Sequence, residues 1–211
     1  MHRRPILAAL LGSAGLSLSA TAQSWPTRPV KLIIPYPPGS GTDIVGRVLA
    51  QKLQAAWGQP VVVENRPGAG GTLGTDAAAK SAPDGYTFLI SDVGPMAMAP
   101  HLYARLAYDP VVDFEPVSLV ARLPFVLVVH PSVRAQNVAE FVALAKARPG
   151  EVTYASVGNG SATHLAMELF ATAAGIQMTH VPYRGSAPAL NDLVAGQVQA
   201  MFVNTASSAE L

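Results

Sequence analysis

The stretch Leu32–Asp43, LIIPYPPGSGTD, runs from a short apolar β-rich segment through Pro37, Pro38, Gly39 and Gly41 into the start of a helix. A turn so poor in side chains lets another molecule approach the backbone, and the helix behind it offers unpaired N–H groups. Outward from this point the chain alternates regularly. VKLIIPY (30–36) precedes TDIVGRVLAQKLQAAWG (42–58), in which Ile44, Val48, Leu49, Leu53 and Trp57 share a helical face, Thr42 suits an N-cap and Gly58 a stop. PVVVEN, the loop RPGAGG, the helix TLGTDAAAKSA, the turn PDG and the strand YTFLIS follow. Strands this uniformly apolar, each separated by a helix, predict a parallel sheet covered on both faces.

A proline-rich stretch, 95–124, breaks this rhythm before PFVLVVHP opens a second alternating series. Helix VAEFVALAKARPG, strand VTYAS, helix SATHLAMELFATAAG, strand MTHVPY, helix APALNDLVAGQ and strand VQAMFVN complete it. The economical reading is two α/β lobes, 23–120 and 121–211, joined through DFEPVSLVARLP.

Half of the 211 residues are hydrophobic, enough for a substantial core, while 13% are charged and the formal net charge is +1. No Lys/Arg cluster follows residue 4, which argues against nucleic acid as a partner. At the N-terminus His2, Arg3 and Arg4 precede ILAALLGSAGLSL, and Ala20-Thr21-Ala22 supplies a cleavage site, so residues 1–22 read as a secretory signal cut near Ala22. Removing Arg3 and Arg4 takes the formal balance from +1 to about −1. No later segment is long and apolar enough to span a bilayer, so the product is not expected to be membrane-inserted. Cysteine is absent, which excludes disulfides, a thiol nucleophile and a lipidated N-terminal Cys. A monomer free in the periplasm is the expectation.

Three glycine-rich loops each follow a strand and precede a helix: PYPPGSGTD, NRPGAGGTLG and SVGNGSATH. In an open parallel sheet this is where ligands bind, and helix N-termini suit an anion. Ser40, Thr42, Ser156, Ser161 and Thr163 offer hydroxyl donors and Asn159 an amide, although any one of them reads equally well as a cap or turn residue. Arg184, in VPYRGSAPA, is either a fork of donors for a carboxylate or a solvated loop residue. Tyr36 and Tyr183 either wall a cleft or pack, and His164 is a packing residue more readily than a base. His101, His130 and His180 show no metal-ligand spacing, and no cofactor is expected.

A nicotinamide-dinucleotide enzyme is the rival reading. Gly68, Gly70 and Gly74 after VVVEN imitate a dinucleotide fingerprint, and Asp92 lies where a ribose-binding acid would sit. The third glycine is one position late, however, and the fingerprint follows the second strand. No G-x-S-x-G or phosphate-loop lysine occurs.

The segments WPTRPVKLIIPYPPGSGTDIVGRVLA, GQPVVVENRPGAGGTLG, APDGYTFLI, LAYDPVVDFEPVSLVA, VTYASVGNGSATHLAMELF and HVPYRGSAPALNDLVAGQV together resemble the Bug-type extracytoplasmic receptors of tripartite tricarboxylate transporters. The resemblance implies a type II periplasmic-binding-protein fold, two doubly wound lobes closing on a small carboxylate, and delivery to inner-membrane transporter subunits without chemistry. It implies ligand contacts at Tyr36, Pro38, Gly39, Ser40, Gly41, Thr42 and Asp43, with Asp43 serving the loop, and at Ser156, Gly158, Asn159, Gly160, Ser161 and His164. A periplasmic sensor partner built on the same fold is the second alternative. Two departures accompany the likeness. Val203 stands where such receptors carry an Asp beside Asn204, and their chains continue past the position of Leu211 to complete the first lobe. A chain ending at Leu211 is therefore expected to expose apolar surface and an unpaired sheet edge.

Overall fold

The computed structural model describes residues 24–208. The signal-peptide reading of residues 1–22 falls outside them.

The first half is built on β1 (Val30–Ile34), β2 (Val61–Asn65) and β3 (Thr87–Leu89), in the order β2-β1-β3 with both pairings parallel. The connections carry α1 (Gly41–Trp57) and, after a 3₁₀ turn at Ala69–Gly71, α2 (Thr72–Ala79). β1 is central, so Val30, Leu32 and Ile34 are buried and pack with Tyr36, Ala50, Val61 and Ile90. The buried stripe of α1 runs through Val45, Leu49 and Leu53, four residues apart, with Gly46 and Ala50 beside it. Ile44 and Val48, assigned to that face from the sequence, lie one step round the helix and are 37% and 54% exposed. The N-cap is Ser40, not Thr42: its backbone is extended and its hydroxyl accepts the Asp43 N–H at 3.2 Å. Gly58, as expected, closes the helix in the left-handed region (φ 66°).

A π turn at Gly94–Met98 leads into the single turn α3 (Ala99–Leu102), and residues 115–124 then run without helix or strand. Val117 and Leu119 in that run are 78% and 68% exposed.

The second half contains β4 (Phe125–Val129), α4 (Val138–Ala147), β5 (Thr153–Ser156), α5 (Ala162–Ala174), β6 (Thr179–Pro182), α6 (Ser186–Val194) and β7 (Ala200–Asn204). Its sheet order is β4-β7-β5-β6. β5 pairs parallel with β6 and β7, but β4 runs antiparallel to β7, with Phe125 opposite Asn204. The all-parallel expectation thus fails at one edge. A strand placed beside β7 at the margin needs no crossover of fixed hand, and its apolar sequence is compatible with either direction. Two buried clusters hold this half, one around Phe141, Tyr154 and Met167 and one around Ala155, Leu193, Met201 and Val203. Val203 is 1% exposed within the second cluster, where an ionised acid would lose its hydration.

Candidate functional site

The loop after β1 is held from inside. Asp43, 2% exposed, accepts hydrogen bonds from the Gly39 N–H (2.9 Å), Arg47 Nε (2.9 Å) and Asn65 Nδ2 (2.8 Å). Burial pushes its carboxyl up, but these donors outweigh that and hold it below the ordinary aspartate value. Asn65, the last residue of β2, also donates to the Tyr36 carbonyl at 2.9 Å. Adjacent strand ends thereby fix the path 36–43, and Asp43 is the knot of that network. Pro38 and Gly39 form the exposed crest of the loop.

The glycine loop of the second half is tied in the same manner. Ser161 caps α5 by accepting the His164 N–H at 3.3 Å, and its hydroxyl donates to the Gly158 carbonyl at 2.7 Å. Ser156 accepts the Gly158 N–H at 3.1 Å and lies 2.6 Å from His180 Nε2. The Gly160 N–H donates to His164 Nδ1 at 3.2 Å, and Thr163 accepts the Val157 N–H at 3.2 Å. Rings of Tyr154, His180 and His164 stack behind the loop with centroids 4.8 and 4.2 Å apart. Ser40, Ser156 and Ser161 are all buried, so the structure gives these three hydroxyls internal partners.

What remains unpaired is backbone. In α1 the amide of Asp43 is capped and that of Ile44 bonds Ser40, whereas the amide of Thr42 meets no acceptor among the described residues. In α5 the amides of Ala162 and Thr163 are in the same state, while His164 and Leu165 are satisfied by Ser161. First-turn donors of this kind are the positive end of the helix dipole.

The two halves bring these ends together. A Cβ on Gly41 would collide with the side chain of Asn204, the last residue of β7. One on Gly70 (φ 64°) would stand 3.0 Å from the Asn159 carbonyl and 3.5 Å from the Ser161 nitrogen. One on Gly94 would stand 3.6 Å from the Ala162 nitrogen, and one on Gly185 would collide with Pro37. Glycine on one side or the other thus lets the loops of opposite halves meet along a seam. Arg184 is exposed beside it and makes no ion pair among the described residues. Tyr183 donates to Asp192 at 2.7 Å, with burial pushing its hydroxyl up to about 12.

Two seam residues had no place in the anion-site reading. Asp92 follows β3, and its Oδ1 accepts from the Tyr36 hydroxyl and from the Gly94 N–H, each at 2.9 Å. Its position at a strand's carboxyl end was the available signal, and the sequence assigned it only to the dinucleotide rival. Asn204 was noticed solely as the neighbour of Val203. The rival's glycines are meanwhile occupied by packing. A Cβ on Gly68 would stand 2.6 Å from Leu73 Cδ1, and one on Gly74 2.5 Å from the Arg66 carbonyl and 2.6 Å from Pro35 Cα; at Gly71, outside that fingerprint but at the start of α2, one would stand 3.0 Å from the Tyr36 hydroxyl. A pyrophosphate approaching α2 meets Tyr36 there.

No group of three or more metal-ligating side chains lies together among the described residues, and no described helix is long and apolar enough to cross a membrane.

Residues 45–210 match the model of the tripartite tricarboxylate transporter family receptor. The chain is 44% identical over 200 residues to protein BugT of Bordetella pertussis, covering 94% of this chain and 61% of that protein. A UPF0065 protein from the tcbD-tcbE intergenic region of Pseudomonas sp. is 40% identical, covering 92% and 60%. Among solved structures, R. palustris Rpa4515 with adipate superposes with a TM-score of 0.84 at 41% identity, covering 88% of this chain and 62% of that one. MatC from Rhodopseudomonas palustris with bound malate gives 0.79 at 33% identity, covering 85% and 61%. The periplasmic binding protein BugD gives 0.83 at 36% identity, covering 88% and 62%. The two-sheet α/β fold expected from the sequence is that of these periplasmic binding proteins. The chain spans about three fifths of the length of the curated relatives it matches.

Proposed function

For a chain that belongs to the tripartite tricarboxylate transporter family receptors, we propose the binding of a small organic carboxylate at the seam between the two sheets. The observation that carries this reading is the pair of helix starts, α1 and α5, whose amides at Thr42, Ala162 and Thr163 lack acceptors among the described residues and come from opposite halves. Each such end favours an anion by about 0.3–1 kcal/mol, and by up to about 2 when partly buried. A carboxylate bonded to both ends is held fully only when the halves are together. Binding energy therefore selects the closed arrangement by population shift.

In this reading the amides of Thr42, Ala162 and Thr163 meet the anion, Gly39, Gly41, Gly158 and Gly160 let the loops carry it close to those amides, and Arg184 adds a long-range cation at the rim. Tyr36 shapes the floor. Ser40, Asp43, Ser156, Ser161 and His164 preorganise the loops, and Asn159 is the second half's point of contact with Gly70. The protein acts in the periplasm, as a monomer without catalysis, and presents the loaded carboxylate to inner-membrane transporter subunits. Adipate and malate in two solved relatives favour this ligand class.

Isothermal titration of the purified chain, shown folded by circular dichroism, with a panel of mono-, di- and tricarboxylates tests the proposal. Saturable binding of at least one, with none for NAD, is expected. Binding of NAD with no carboxylate bound would overturn it.

A further inference from the structure

Resting on the receptor reading, we infer that Asp92 is a specificity-determining residue that reads a hydrogen-bond donor on the ligand, so that the preferred carboxylate carries a hydroxyl or ammonium group. A Cβ on Gly94 would touch Asp92 Oδ1 at 3.1 Å, the Tyr36 hydroxyl at 3.3 Å and the Ala162 nitrogen at 3.6 Å. Asp92 and the α5 amide are thus both close neighbours of Gly94, packed so tightly that a side chain there would crowd them. Asp92 therefore stands beside the start of α5, on the side of the seam that carries Tyr36.

Its two hydrogen bonds, from Tyr36 and Gly94, both fall on Oδ1 and come from neutral donors. No Lys, Arg or His forms an ion pair with it among the described residues. An asparagine would accept the same two bonds without the desolvation cost of a charge, so folding does not require the carboxylate. Burial raises its pKa despite these two donors, the mark of a carboxylate without a compensating cation. A second carboxylate arriving at the Ala162 amide would repel it. The repulsion is relieved when the guest places an O–H or N–H group toward Asp92 a few atoms from its own carboxylate. An unsubstituted dicarboxylate of the same length leaves Asp92 unpaired, and sites built to pair a ligand donor reject the analogue lacking it.

Matched ligands test this at two chain lengths: succinate against malate and aspartate, and adipate against 2-aminoadipate, titrated into the wild-type chain and Asp92→Asn. The wild type is expected to bind the donor-bearing member of a matched set at least tenfold more tightly. Asp92→Asn should reduce that preference at least fivefold while improving affinity for the unsubstituted acid. If the variant does not fold, the wild-type comparison alone decides. Equal affinity within each set, or an unchanged ratio in Asp92→Asn, overturns this assignment and leaves the receptor reading standing. Absence of binding by all five acids removes both.

Discussion

A Cβ on Gly41 would overlap the side-chain amide of Asn204, so the first residue of α1 and the last of β7 meet with no room for a side chain between them. Asn204 is not free to swing aside at no cost, because its Oδ1 accepts the Ser207 N–H at 2.9 Å. Gly41→Ala should therefore oppose closure without disturbing either half. Overpacking of this kind costs about 1–3 kcal/mol, which converts to a loss of carboxylate affinity of roughly five- to hundredfold. Titration calorimetry beside a thermal melt checks it: affinity should fall while the ligand-free melting temperature changes little. Unaltered affinity would show that the two residues separate in the bound form.

Ser161 illustrates how a residue can belong to a binding loop without touching the guest. Its hydroxyl proton points at the Gly158 carbonyl and its oxygen accepts the His164 N–H. Ser161→Ala should cost about 1 kcal/mol of stability, the usual worth of such a cap. Ser161→Thr should recover most of it. Urea unfolding measures both. An alanine variant of undiminished stability but much weaker carboxylate binding would turn the hydroxyl toward the ligand instead.

Protons act on the second half through His180. Burial, and then the charge of His164 stacked 4.2 Å away, depress its pKa, while Glu168 opposes them. Ser156 and Tyr154 are its other neighbours. Because the unfolded chain takes up this proton more readily than the folded one, stability is greatest above the ordinary histidine value of about 6.5 and is lost as pH falls from there through the depressed folded value. His180→Gln removes this dependence. Denaturation curves at pH 7.5 and pH 5 should show the wild type losing stability relative to the variant on acidification; parallel behaviour would mean that His180 protonates equally well in both states.

The sequence was most informative where local rules act alone. Apolar runs such as Leu32–Ile34 and the glycine stop at Gly58 located the strands and the longer helices, with ends off by a few residues in places such as α4 and α6. It failed where packing between distant segments decides. Ile44 and Val48 are as apolar as Val45 and Leu49, and only the placement of β1 and β2 beside α1 selects which pair turns inward. The direction of β4 leaves no trace in FVLVV, since either pairing buries the same side chains. At the candidate site the glycine loops were legible from their positions after strands. The contacts that unite them were not, because Gly41 meets Asn204 and Gly94 meets Ala162 across many intervening residues. The partners of Asp92 were hidden for a related reason: the hydroxyl that donates to it belongs to Tyr36, at the end of a different strand.

The central claim is that one anion is held by main-chain amides of both helix starts. The most direct measurement is an amide-proton NMR titration of the isotopically labelled chain with a carboxylate that it binds. The amide protons of Thr42 in α1 and of Ala162 and Thr163 in α5 should move downfield together, with a single dissociation constant. Shifts confined to one half, or largest at side chains far from these two turns, would contradict it.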